Sequence, residues 1–246
     1  MAKKQEYEFI SKSVFFPEKG ILAVGDLHIG YDYMIQQSGV LIPERQVEEI
    51  IDDLKKIFQE IEKKKQKIKK IIFIGDIKHS FAYEWQEKNY FNEIIKFLKE
   101  KFDDRDIILL KGNHDTIDYS YGKMKNFYIK DDLAFIHGDR IFLQIFDKGI
   151  KTIVLGHLHP SVIISDMQNI KREKYKCFLT GKFKNKKIII LPSFLATVEG
   201  TNVNNISSEY EDYFSIIPKK AILDFNIQVV GENRVYDFGK VGELEK

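Results

Sequence analysis

Ile71-Ile72-Phe73-Ile74-Gly75-Asp76-Ile77-Lys78-His79 is the stretch that decides the fold class. Its apolar run has the length of a buried strand. The glycine lets the backbone turn sharply, and an acid and an imidazole follow within the turn. Four other segments have this form. Ile21–Val24 leads into Gly25-Asp26-Leu27-His28, and Ile107–Leu110 leads to Gly112-Asn113-His114-Asp115. Leu133–Ile136 runs into His137-Gly138-Asp139, and Ile153–Leu155 into Gly156-His157-Leu158-His159. All 6 histidines of the chain fall in these motifs. A chain that places its whole imidazole supply at strand ends, beside Asp and Asn, is building a metal site.

The donors are nitrogen and hard oxygen with no thiolate, which suits Mn, Fe, Zn, Ni or Co. In α/β sheets the loops at the carboxyl ends of strands form the ligand crevice, so motifs in that position can converge. Asp26 and His28 are two apart and would share a face of an extended strand, as would His157 and His159. Such a pair can serve one ion twice or two ions once each. The candidate ligands are Asp26, His28, Asp76, Asn113, His137, His157 and His159. That set is too large for one tetrahedral ion and suits two ions sharing a carboxylate. Two ions roughly 3.5–4 Å apart lower the pKa of a bridging water and grip phosphoryl oxygens. The expected reaction is hydrolysis of a phosphate ester by in-line attack of metal-bound hydroxide. His114 and His79 are surplus to the ligand count and are candidates for stabilising the transition state or protonating the leaving alcohol. Asp115 and Asp139 are read as partners that orient an imidazole, with turn chemistry as the alternative. Lys78 is read as solvated. A lone Asp-X-His or His-X-His would be weak evidence; the recurrence after successive strands carries the reading.

Around these motifs, Val47, Ile50, Ile51, Leu54, Ile57, Phe58 and Ile61 repeat at three and four, predicting a helix with Pro43 in its first turn. The lysine-rich tail from Glu62 to Lys70 is a solvated helix end favoured by the macrodipole, or else a nucleic-acid patch. A second helix is expected from Trp85 to Lys101. Short apolar runs dominate afterwards, at Val162–Ile164, Cys177–Leu179, Ile188–Leu191 and Ala221–Phe225, each read as a strand. Gly181 to Lys187 reads as a hairpin, and Gly200 to Tyr213 as a polar loop. The fold class is α/β (α+β), two packed sheets with helices outside. No repeat or linker divides the chain, so residues 1–246 are expected to form a single domain. Residues 214–246 would be a final strand pair within it or a small appendage.

A chain of 246 residues with 43% hydrophobic and 31% charged residues is expected to be a soluble globular protein. A net charge of +2 makes no strong appeal to nucleic acid, though it leaves room for a local basic groove. The start lacks a signal-like apolar stretch, and no run approaches the roughly 20 residues of a membrane span. The single Cys177 suits a reducing compartment, so the expected location is cytoplasmic, with Cys177 a core residue.

In this order, Asp26-X-His28, Gly75-Asp76, Gly112-Asn113-His114-Asp115, His137 and Gly156-His157-X-His159 resemble the calcineurin-like metallophosphoesterase superfamily. The resemblance implies a four-layer α-β-β-α sandwich of two mixed sheets flanked by helices, with a dinuclear centre. It implies that Asp26, His28 and His159 hold one ion, that Asn113, His137 and His157 hold the other, and that Asp76 bridges. His114 would contact the scissile phosphate. Within the superfamily the chain is most similar to the Mre11/SbcD-like nucleases, especially a short archaeal-type group related to them. A related short set is the ligase-associated DNA-repair phosphoesterases. The pointers are Gly25-Asp-Leu-His-Ile-Gly-Tyr31, Gly75-Asp-Ile-Lys-His-Ser-Phe81 and Leu191-Pro-Ser-Phe194. His79 fits the form of the second motif in that group and would work with His114 near the leaving group. Lys78 departs from the phenylalanine common in Mre11 itself. Full Mre11 proteins add a DNA-binding cap and a segment that docks the Rad50 ATPase. This length leaves little room for either, which argues against a Rad50-like partner and against processive exonuclease action.

The leading expectation is therefore a dinuclear-metal-dependent phosphodiesterase, a DNA nuclease using Mn²⁺ before Fe, Zn, Ni or Co. Lysine clusters and the aromatic residues Tyr31, Tyr33, Phe81 and Trp85 are candidates for holding phosphates and bases, or are ordinary packing and surface. The alternative is a small-molecule phosphatase or phosphodiesterase acting on nucleotides or cyclic nucleotides. A non-catalytic scaffold is the reading from another class. No membrane partner is expected, and the oligomeric state is left open, a dimer included.

Overall fold

The computed structural model describes residues 6–81, 84–116, 124–165, 171–198, 200–204, 215–232 and 234–244. The first half contains β1 (Glu8–Ile10), β2 (Ser13–Phe16), β3 (Ile21–Val24), α1 (Tyr31–Gln37), α2 (Gln46–Lys63), β4 (Lys70–Ile74), α3 (Trp85–Lys99) and β5 (Ile107–Leu110). These strands make a sheet in sequence order, with β3, β4 and β5 parallel and β1 and β2 antiparallel before them. The second half contains β6 (Phe127–Lys130), β7 (Leu133–Ile136), β8 (Thr152–Leu155), β9 (Pro160–Ser165), β10 (Arg172–Phe183), β11 (Lys186–Ile190), β12 (Thr201–Asn202), α4 (Lys219–Ile222), β13 (Asn226–Val230) and β14 (Val235–Lys240). Its sheet runs β12-β9-β10-β11-β8-β7-β6, with β13 paired to β10 and β14 paired to β13. Strands β7, β8 and β11 are parallel.

The period of two along each strand sorts the side chains into three apolar layers. Leu22, Val24, Ile71, Phe73, Ile107 and Leu109 face α2 and α3. Their alternates Ile21, Ala23, Ile72, Ile74, Ile108 and Leu110 meet Leu133, Phe135, Val154, Phe178, Ile189 and Leu191 between the sheets. Ala134, Ile136, Ile153, Leu155, Cys177, Ile188 and Ile190 form the far layer, under α4 and the C-terminal segment. Strands buried on both faces read as continuous apolar runs, which is why each histidine motif had one before it. The result is two mixed sheets in a sandwich, with α2 and α3 on one outer face and, among the described residues, only the short α4 on the other.

The predicted helix over residues 47–61 is α2, with Val47, Ile50, Leu54, Ile57, Phe58 and Ile61 buried. Replacing the fully buried Leu54 by Ala should cost roughly 2–5 kcal/mol. The helix starts at Gln46, so Pro43 lies ahead of its first turn rather than in it. The helix at Trp85 ends at Lys99. The expected hairpin joins β10 to β11 through Lys184 and Asn185, whose φ values of 47° and 61° fit a tight two-residue turn. The apolar run Ala221–Phe225 is not a strand. It holds the end of α4 and a turn, with Ile222 and Phe225 both buried, and β13 begins after it. Of the polar stretch from Gly200, residues 205–213 lie outside the described residues, and Thr201–Asn202 forms β12. Among the described residues no helix is long and apolar enough to cross a membrane.

Candidate metal centre

The carboxyl ends of β3, β4, β5, β7 and β8 meet at one end of the sandwich and carry every motif singled out in the sequence. The chain leaves its strands there by an unusual route. His28, Asp76, His157 and His159 have φ of 45°, 40°, 64° and 46°, in the left-handed region that side chains with a Cβ rarely occupy. The Asp26–His28 and His157–His159 pairs are therefore joined through turns, not along one face of an extended strand. Two glycines let the motifs close up. A Cβ on Gly112 would stand 2.1 Å from Asp76 Oδ1 and 2.3 Å from its backbone nitrogen, and one on Gly156 would stand 2.5 Å from Asp26 Oδ2.

Two donor groups result, and they share one residue. Asp26, His28, Asp76 and His159 each offer an atom within 4.8 Å of the others, and Asp76, His137 and His157 do the same. In the first group His28 Nε2 faces His159 Nε2 at 3.2 Å, and His159 Nε2 lies 3.4 Å from Asp26 Oδ2. In the second, His137 Nε2 is 3.1 Å from His157 Nδ1, 3.4 Å from Asp76 Oδ2 and 3.0 Å from Asn113 Oδ1. Asp26 also reaches toward the second group, with Oδ1 3.1 Å from His137 Nδ1. A third grouping, His28, His79 and His114, adjoins the first.

The electrostatics suit cations. Asp26, Asp76 and His137 are almost wholly buried. Burial opposes charge on both carboxyls, yet His159 and His137 hold Asp26 well below the usual range, and His137 holds Asp76 below it. Burial also opposes charge on His137, but Asp26 and Asp76 outweigh it and raise the imidazole well above its ordinary value. Burial, then His159, pushes His28 down to about 3, so it is a neutral ring with a lone pair to give. Ring nitrogens facing each other at 3.1–3.2 Å need a proton or a metal ion between or beside them. Oxygen and imidazole donors so arranged fit a pair of divalent ions.

His114 stands at the edge of both groups. Its Nδ1 meets the His79 carbonyl at 2.6 Å, and its Nε2 is 3.9 Å from Asp76 Oδ2. The His79 ring lies 5.5 Å from that of His28 and 5.6 Å from that of His114. Asp115 contacts no imidazole among the described bonds. Its carboxylate accepts the backbone N–H groups of Ile77 (3.1 Å), Lys78 (3.2 Å) and Gly112 (2.9 Å), which ties the β4 loop to the β5 loop. Asp139 turns away to its neighbour Arg140, at 2.9 Å. Lys78, read as solvated, is 1% exposed, with its ammonium donating to the Ser80 carbonyl. Burial lowers its pKa against the pull of Glu87, Asp115 and Asp76.

Supporting residues come from elsewhere in the chain, and of these Ser193 and Phe194 lie in the stretch Leu191-Pro-Ser-Phe194. Gln46, at the start of α2, accepts the Gly30 N–H at 2.8 Å and donates to the His28 carbonyl at 2.7 Å. Phe194 N–H and the Ser193 hydroxyl both donate to the Asp26 carbonyl, at 2.9 and 3.2 Å. The ammonium groups of Lys12 and Lys176 hold that segment in turn, Lys12 on the Phe194 carbonyl at 2.6 Å and Lys176 on the Ser193 carbonyl at 2.9 Å and the Leu195 carbonyl.

A family model described as calcineurin-like phosphoesterase matches residues 20–200, which takes in all these motifs. The chain belongs to the calcineurin-like phosphoesterase family. Members of this family use dinuclear metal centres. The calcineurin-like chain is similar in fold to the crystal structure of Pseudomonas putida nuclease MPE, at a TM-score of 0.60 and 16% identity, over 92% of each chain. A conserved uncharacterized protein of Streptococcus pneumoniae, a predicted phosphoesterase, aligns at a TM-score of 0.35 and 10% identity, over 89% of this chain and 97% of that one. No curated protein matches the sequence.

Proposed function

We propose that this calcineurin-like phosphoesterase is a phosphodiesterase with two divalent cations, and that its substrate is nucleic acid, DNA first. The observation that carries the reading is the pair of donor groups sharing Asp76. Asp26, His28 and His159 would hold one ion, Asn113, His137 and His157 the other, and Asp76 would lie between. Bound there, such ions would lower the pKa of water and draw electrons from phosphoryl oxygens. Mn²⁺ is the ion we expect, the whole chain acting as one domain in the cytoplasm.

The protein's own groups do the rest. A bond from His114 Nδ1 to a carbonyl requires the proton on Nδ1, and Nε2, 3.9 Å from Asp76 Oδ2, is the nitrogen that faces the centre. A protonated His114 can therefore donate from Nε2 to a phosphoryl oxygen or to the departing alkoxide. His79 keeps a buried Nδ1 with no hydrogen-bond partner among the described residues, its ring lies 5.6 Å from that of His114, and in this reading it assists the leaving group. Asp115 fixes the loops of Asp76 and His114 relative to each other. The likeness in fold to a nuclease over nearly the full length of both chains supports the nucleic-acid substrate.

The test is an assay panel in Mn²⁺ on single-stranded DNA, duplex DNA, RNA, bis-p-nitrophenyl phosphate and p-nitrophenyl phosphate. Strand scission and diester cleavage without monoester cleavage are expected. Activity on small diesters or nucleotides alone would move the reading to a small-molecule phosphodiesterase. Failure to bind any of these ions would remove its basis.

A further inference from the structure

We infer that Phe81 is a stacking platform for the base beside the scissile phosphate, which makes unpaired strands the preferred substrate; this rests on the nuclease reading. The Phe81 ring lies on the His114 ring, with centroids 4.2 Å apart and planes at 26°. One face is thereby taken, yet the residue is 58% exposed. Phe81 belongs to none of the three apolar clusters of the core. Its backbone is anchored, because the Thr116 hydroxyl donates to its carbonyl. The ring is thus held in place, open to solvent, and in contact with the imidazole that faces the centre.

The other aromatic residues near the motifs differ. Tyr31 meets His79 edge-on, at 5.0 Å and 82°, and is only half-exposed. Trp85 is 66% exposed at the first turn of α3, and no described ring contact joins it to Phe81 or to a histidine of the motifs. A planar apolar face one residue from the reacting phosphate suits a nucleobase of any sequence. Inside a duplex both faces of each base are already covered by its neighbours. Only an end, a flap or a single strand offers a base that is free to stack.

The experiment compares kcat/KM in Mn²⁺ on oligothymidylate and on an abasic strand of equal length, for wild type, Phe81→Ala and Phe81→Trp. Wild type should prefer the strand with bases by about 5- to 100-fold. Phe81→Ala should lose most of that preference, and Phe81→Trp should keep it. A preference unchanged in Phe81→Ala overturns the inference, as does an equal loss on both strands, which is what a ring that only props His114 would give. If wild type cuts neither strand while hydrolysing methyl p-nitrophenyl phosphate, the nuclease reading falls and takes this inference with it. A lost platform alone would leave DNA cleavage standing.

Discussion

The backbone N–H of His114 donates to Oδ1 of Asp76 at 2.9 Å, while Oδ2 of the same carboxylate lies 3.4 Å from His137 Nε2. Asp76 thus ties the β5 loop to the donor groups and belongs to both of them. In Asp76→Asn an amide nitrogen replaces one oxygen, which both proposed ions need. Turnover should fall by at least about 100-fold. Calorimetric titration with Mn²⁺ should show both binding steps weakened, with the circular dichroism of the fold retained. One step left at wild-type affinity would show that the carboxylate is not shared.

His114→Asn should behave differently. A group that works on the phosphate rather than on the metal can lower turnover by about 10²- to 10⁴-fold without emptying the centre. Elemental analysis should still find two ions per chain. His79→Ala should give a smaller loss with the same metal content. Ions missing from either variant would mean that the third histidine grouping serves as a ligand set.

Gly112→Ala tests the close approach. With a Cβ at 2.1 Å from Asp76 Oδ1, either the β5 loop or the carboxylate must move. Metal affinity should drop at least about tenfold, with turnover, in a protein that still folds. Wild-type affinity by titration would show that the two loops have more slack than their contacts indicate.

Lys176 supplies a pH dependence away from the histidines. Burial, then the nearby Lys12, pushes its ammonium down to about 7. Below pH 7 the folded and unfolded chains both hold the proton, and the full cost of a buried charge is present. From about pH 7 to the ordinary lysine value the unfolded chain holds a proton that the folded chain lacks, so stability rises with pH. Lys176→Gln removes this contribution. Urea unfolding at pH 6.5 and pH 9 should show the advantage of wild type over the variant growing toward pH 9. A gap that is constant or shrinks would show that the ammonium titrates normally.

The donor groups are more legible in the sequence than the fold around them. His28, His137, His157 and His159 follow strands buried on both faces, so each sits after an unmistakable apolar run. α2 was legible because its buried face repeats over four turns. β1 and β2 are too short and too near the start to show a period, and α1, Tyr-Asp-Tyr-Met-Ile-Gln-Gln, buries only Asp32 completely. Ala221–Phe225 is ambiguous in the sequence because an apolar run of that length fits a helical turn as well as a strand. The burial of Lys78 has a non-local cause. Glu87 comes in from α3 beside the loop, accepts the Ser80 N–H at 2.7 Å and helps to offset the buried ammonium. Gln46, Lys12 and Lys176 act on the centre from distant parts of the chain, and no local motif marks them.

The left-handed backbone at His28, Asp76, His157 and His159 has a consequence for the endurance of the bare chain. Each such residue stores on the order of 1 kcal/mol that glycine would not. In chelator, His159→Gly, at a partly exposed one of these positions, should therefore melt higher than His159→Ala, because only the β-carbon of alanine meets the strain. Equal melting of the two variants would show that these corners carry no such tension.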